Sequence, residues 1–148
     1  MKAFNLAVLT LALIGSSASA LAAEHVIKMK NSGEDGTLVF EPGFLQAEVG
    51  DTVIFEATDL SHNTASFLVP EGAETWDGAI NEEIEITLDT EGIYVYVCTP
   101  HIMLNMVGII QVGEPENMDA ARAAVDELTA GAVANQDRLE QYLAQVTE

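Results

Sequence analysis

The 148-residue chain has one cysteine, three histidines and only five lysines and arginines. Each shortage excludes something. A single thiol cannot close an internal disulfide, so this is not a disulfide-framed domain. Three histidines cannot furnish several histidine-rich metal centres. Five basic residues against 24 acidic ones give a formal charge of −19, which opposes association with nucleic acid phosphates and leaves cationic partners or none. The length has room for one small domain but not for a multidomain enzyme. Internal repeats and low-complexity tracts are also absent.

A long apolar run occurs at the N-terminus. MKAFNLAVLTLALIGSSASALAA carries Lys2, an apolar stretch from Ala3 to about Ile14 and small residues ending in Ala20-Leu21-Ala22, the layout of a secretory signal segment. The stretch is shorter than the ~20 residues that span a bilayer, so a retained anchor is the weaker reading. We expect residues 1–22 to be a signal peptide, cleaved after Ala22 or Ala23. Residues 23–148 would then form a single periplasmic domain, monomeric and without a membrane anchor. All 24 acidic residues stay in that part, with Lys28, Lys30, Arg122 and Arg138 as its basic ones. A lone thiol in an oxidising compartment mispairs or oxidises unless it is buried or ligated. Cys98 therefore needs an explanation.

From Ala23 to about Gly113, turn signals at Asn31-Ser32-Gly33, Glu41-Pro42-Gly43, Val49-Gly50-Asp51, Pro70-Glu71-Gly72 and Thr90-Glu91-Gly92 separate apolar or alternating runs. HVIKMK, GTLVFEP, FLQAEV, DTVIFEAT, ASFLVP, EIEITLD, GIYVYVCT and MVGIIQVG read as strands. The period of two is clearest from Glu83 to Leu88, and short strands so spaced predict an all-β sandwich or barrel. After Gly113 the composition becomes alanine-rich, predicting helices from Asn117 to about Thr129 and from Asn135 to about Gln145, with Asn117 or Asn135 as caps. Val125 with Leu128, and Leu139 with Tyr142, Leu143 and Val146, give each helix an apolar side to dock on the sandwich. The tail from about residue 117 thus belongs to the same domain.

The chemistry concentrates in Cys98-Thr99-Pro100-His101-Ile102-Met103-Leu104-Asn105-Met106, between two of these strands. A loop held by two rigid strands can bring a thiolate, an imidazole and a thioether to one point. His62, on the turn after the run Asp51–Thr58, completes a set of one Cys, two His and one Met. Soft sulfur with imidazole favours copper, and a weak axial Met beside a His₂Cys plane is the ligand set of an electron-transfer copper site. Zinc accepts the same nitrogens and thiolate, but thioether suits it poorly. Met103 competes with Met106. It leaves fewer residues for the chain to turn back to the metal, so Met106 is the expected ligand and Met103 the expected surface residue. His25, Met29 and Met118 lie outside the constellation.

CTPH with its following Met, LVFEPGFLQAEVGDTVIF, SHN, VPEGAETW, GIYVYVCTPH and the helical tail together resemble the cupredoxin family of type 1 blue copper proteins, most closely its pseudoazurin branch, from about Glu24 to Gln145. The resemblance implies an eight-stranded Greek-key β-sandwich with two C-terminal α-helices and one copper ion held by His62, Cys98, His101 and Met106. It further implies a hydrogen bond from the Asn63 backbone amide to the Cys98 sulfur, a contact that tunes the potential. The function implied is one-electron transfer between redox proteins, without catalysis. A periplasmic copper storage or delivery protein is the alternative. Pseudoazurins commonly surround an apolar patch with lysines and approach acidic partners such as copper nitrite reductase. Here Lys28 and Lys30 are nearly all the positive charge of the body, so a redox protein with a positive docking surface, such as a basic cytochrome c, fits better. Two further departures are Leu104-Asn105 before the Met ligand, where the family often has small residues, and Leu38, where it often has Met.

Overall fold

The computed structural model describes residues 21–148, so the expected signal peptide lies almost wholly outside the described residues. The strands are β1 (Glu24–Gly33), β2 (Gly36–Glu41), β3 (Phe44–Ala47), β4 (Thr52–Glu56), β5 (Ala65–Leu68), β6 (Ile84–Thr87), β7 (Gly92–Val97) and β8 (Val107–Val112), followed by helices α1 (Met118–Gly131) and α2 (Arg138–Leu143). They build two four-stranded sheets, ordered β2-β1-β4-β6 and β3-β8-β7-β5. The pairs β1/β4 and β3/β8 are parallel and the remaining neighbours antiparallel. From β2 to β7 the chain alternates between sheets, which closes the sandwich with the expected two-sheet architecture.

Residue alternation explains the layers. In β6, Ile84 and Ile86 pack against the core between the sheets while Glu85 and Thr87 face water. Strands β7 and β8 are buried along their whole length. Tyr94 and Tyr96 point into the inter-sheet core, in phase with Cys98, and Ile93, Val95 and Val97 point to the opposite side. Burial on both faces accounts for the unbroken run GIYVYV. Its second face is covered by Val125 and Leu128 of α1 and by Leu139 and Tyr142 of α2. Gly43 provides the seat for that cover: a β carbon there would lie 2.1 Å from the Tyr142 ring, so only glycine admits it.

Three local expectations are corrected. Asn31-Ser32-Gly33 lies inside β1, and the turn falls at Glu34-Asp35 because Gly36 supplies the positive φ of 106°. Helix α1 extends through Gly131, while α2 starts only at Arg138. Neither asparagine caps a helix with its side chain. Asn117 instead receives the Ile93 amide on Oδ1 and donates from Nδ2 to the Ile93 carbonyl, tying α1 to β7. Asn135 is likewise drawn away, toward the segment between β7 and β8. Among the described residues, no helix is long and apolar enough to cross a membrane.

Candidate metal centre

The segment between β7 and β8 is a short 3₁₀ helix, Thr99–Leu104, where the sequence predicts only a loop. Pro100 suits its first turn because that turn needs no backbone donor there. His101 departs from helical angles and Asn105 ends the turn in the left-handed region at φ 56°. The base of the segment is pinned by the Cys98 amide, which donates to the Met106 carbonyl at 2.9 Å, and by the Met106 amide, which donates to the His101 carbonyl at 3.2 Å. His62 comes from the crossing between β4 and β5, where the Asn81 amide donates to its carbonyl at 2.7 Å.

These elements bring three donors to one point. His62 Nδ1 and His101 Nδ1 are 3.2 Å apart, and Cys98 Sγ lies 3.8 Å from the first and 3.4 Å from the second. Ligands sharing one first-row ion, at bonds of about 2.0–2.3 Å, stand roughly 3.5 Å from each other in a trigonal plane, so the triangle fits such an ion. His62 Nε2 lies 2.9 Å from Asn31 Oδ1. An amide oxygen only accepts, so Nε2 carries the proton and Nδ1 presents its lone pair to the centre.

Burial, followed by the neighbouring His101, lowers the His62 pKa and keeps that imidazole neutral, as a ligand must be. Burial pushes the Cys98 thiol up, while the backbone amides of Asn63 and His101 draw it partly down. The Asn63 contact is the one implied by the resemblance. A cation seated at the centre would reverse the burial effect and hold the sulfur as thiolate. The Asn63 side chain fixes its own segment: Oδ1 accepts from the Thr99 amide at 2.8 Å and Nδ2 donates to the Gly78 carbonyl at 3.0 Å.

Met106 is fully buried in the same cluster as Cys98, whereas Met103 is 59% exposed. His62 and Cys98 are buried and His101 is half-buried, which makes His101 the donor nearest solvent. Sequence reasoning missed Asn31, whose only signal was its place in an apparent turn, and Asn81, which receives the Ser61 amide on Oδ1 at 2.6 Å. Both act across long sequence separations that no local pattern encodes.

The model of the copper binding proteins of the plastocyanin/azurin family matches residues 27–113, a span that holds all four expected donors. The chain is 42% identical to the pseudoazurin of Paracoccus pantotrophus, over 96% of this chain and 97% of that protein. It belongs to the pseudoazurins, within the plastocyanin/azurin family. Solved pseudoazurins share the architecture. That of Methylobacterium extorquens AM1 superposes with a TM-score of 0.73 at 32% identity, covering 84% of this chain and 99% of that one. That of Hyphomicrobium denitrificans gives 0.72 at 37% identity with the same coverage. As a pseudoazurin, the chain is a small one-electron carrier with one type 1 copper, and its clustered nitrogen and sulfur donors suit that ion.

Proposed function

We propose that His62, Cys98, His101 and Met106 would hold the copper ion, and that electrons leave and enter at the His101 edge. The convergence of the two Nδ1 atoms and Cys98 Sγ within 3.2–3.8 Å carries this reading. Copper supplies the Cu(II)/Cu(I) couple. The chain supplies the rest. The Cys98 thiolate would couple the ion to β7, which it directly follows, the two imidazoles would hold the ion beside it, and the buried site would exclude water. A donor set complete in itself leaves no position for substrate, so we assign no catalytic residue. Burial of His62, Cys98 and Met106 opposes the rapid ion exchange that copper delivery needs.

Around His101 the surface is apolar. Pro100 and Met103 are exposed, and Phe67, Ile102, Met103 and Leu128 line a shallow hollow together with Glu127. Such a patch sheds water in a brief encounter. Of the four basic residues described, Arg138 is buried and Lys30 pairs with Glu41, so the exterior is overwhelmingly negative. The partner we propose is a redox protein with a positive docking surface, such as a basic cytochrome c, in preference to copper nitrite reductase. We place the monomeric protein in the periplasm after removal of residues 1–22. Cleavage after Ala22 would create an α-ammonium at Ala23, whose nitrogen lies 2.7 Å from Asp51 Oδ1.

Titrating the mature, copper-free chain with Cu(II) tests the site. One equivalent is expected to produce an intense visible thiolate-to-copper band and a type 1 EPR signal, and absence of the band would overturn the ligand set. The partner is tested by the rate of electron exchange with a basic cytochrome c, expected to fall as salt rises. A rate insensitive to salt, or faster exchange with an acidic partner, would refute the charge pairing.

A further inference from the structure

Arg138, at the start of α2, is only 5% exposed. Its guanidinium donors go to four main-chain oxygens. Nη1 reaches the carbonyls of Leu38 and Asn105, both at 2.8 Å, and Nη2 those of Asp35 at 3.0 Å and Thr37 at 2.9 Å. A planar fork serves this arrangement as an ammonium could not.

We infer that Arg138 is a positioning residue for the metal site, fixing from the C-terminal helix the peptide that carries Met106 and thereby the placement of its thioether. The Asn105 carbonyl and the Met106 amide belong to one rigid peptide plane. Arg138 holds the oxygen of that plane and the His101 carbonyl accepts its N–H. The plane is thus tied at both ends. Leu38 sits at φ 51°, a conformation that a branched apolar residue keeps only where the surroundings enforce it, and Asn105 ends the turn at φ 56°, a left-handed position that asparagine tolerates. Arg138 Nη1 grips both carbonyls. Reciprocal amides complete the clamp: Asn105 Nδ2 donates to the Asn135 carbonyl at 2.7 Å, Asn135 Nδ2 to the Leu104 carbonyl at 2.9 Å, and the Val133 amide to the Met103 carbonyl at 2.8 Å. An axial thioether bonds copper weakly, so its approach is set more by the scaffold than by the ion. The inference rests on the proposed ligand set.

The test compares Arg138→Met and Arg138→Lys with Tyr142→Phe in the mature chain. Tyr142 lies on the same helix and its hydroxyl donates to Asp35 Oδ2 at 2.8 Å rather than to the Met106 peptide, so its variant reports loss of tail stability without loss of the Asn105 carbonyl contact. In the copper-free protein, amide exchange at Met106 is expected to accelerate about tenfold or more in Arg138→Met, the scale of losing a charge-assisted hydrogen bond. In the copper protein, the same variant is expected to shift the ratio of the visible bands, the EPR rhombicity and the reduction potential. Arg138→Lys should recover part of these changes, and Tyr142→Phe should lower the urea midpoint with an unaltered spectrum. Unchanged exchange at Met106, an unchanged spectrum and potential in Arg138→Met, or equal spectral shifts in Tyr142→Phe would each overturn the inference. If Arg138→Met does not fold, Arg138→Lys decides by the same readouts, since it cannot span all four carbonyls. A wild-type chain without a thiolate band would refute the ligand set, while exchange in the copper-free chain would still decide whether Arg138 holds the Met106 peptide.

Discussion

The two sheets of the sandwich face different surroundings. In β2-β1-β4-β6 one side faces the core and the other water: Ile27 and Met29 of β1 are fully buried, Lys28 is exposed and Val26 is 41% exposed. In β3-β8-β7-β5 the central strands are buried on both sides, because the helices cover the outer face. The connection between those two strands carries Cys98, His101 and Met106, whereas His62 comes from the crossing between sheets. Three of the four proposed ligands therefore stand between strands that are buried on both faces. The wet sheet carries charge and solubility instead. An electron carrier benefits from this division, since a site that rearranges little between oxidation states exchanges electrons faster.

The contrast between the two sheets makes unequal demands on substitutions. Cys98→Ser, on the doubly covered sheet, is expected to abolish the thiolate-to-copper band completely, whereas His62→Ala, on the crossing, should leave a rearranged spectrum because the sulfur remains. A band persisting in Cys98→Ser would end the argument. Next in size, Leu139→Ala strips a fully buried side chain from the helix cover and should cost about 2–5 kcal/mol in urea unfolding. A cost within 0.5 kcal/mol, roughly that of a surface change, would mean that the helices merely rest on the sheet.

Asp51, packed beside β1 and β4, provides a pH test of the other sheet. Its carboxylate accepts from the Glu48 amide at 3.0 Å, from His25 Nε2 at 2.8 Å and from the Ala23 amide at 2.7 Å. Chiefly the Glu48 amide, then His25 and the Ala23 amide, lower its pKa from 3.8 to about 2. Because the folded value is depressed, its stabilisation is present above the unfolded value of 3.8 and is lost as pH falls through about 2. Asp51→Asn should cost about 1–3 kcal/mol at pH 6, and its deficit against wild type should shrink toward pH 2. Copper-free unfolding curves at several pH values would check this, and a constant deficit would refute it. The smallest effect is expected for Glu85→Gln on the wet face of β6, about 0.5 kcal/mol or less in the same assay.

Much of the fold was legible locally. Alternation in Glu83–Leu88, the unbroken run Gly92–Val97 and the Gly and Pro punctuation marked strands close to their observed positions, because burial on one face or two writes a period into the sequence. Helix ends were less legible. Asn117 and Asn135 have the chemistry of caps, yet hydrogen bonds to Ile93 and Leu104, distant in sequence, claimed their side chains. The Cys98–Met106 segment stood out by residue type and spacing, while the orientation of His62 depended on Asn31, distant in sequence.

Residue chemistry and short-range period are enough to give the strand alphabet, the acidic surface and the choice of soft sulfur and imidazole donors. Which atoms meet depends on packing between distant segments. The crossing that delivers His62 Nδ1 to Cys98, the amide oxygen that fixes its tautomer and the reach of Arg138 to the carbonyls of Leu38 and Asn105 all join residues far apart in the chain. Contacts of that kind are set by how sheets and helices pack as whole layers, and no local run of residues carries that information.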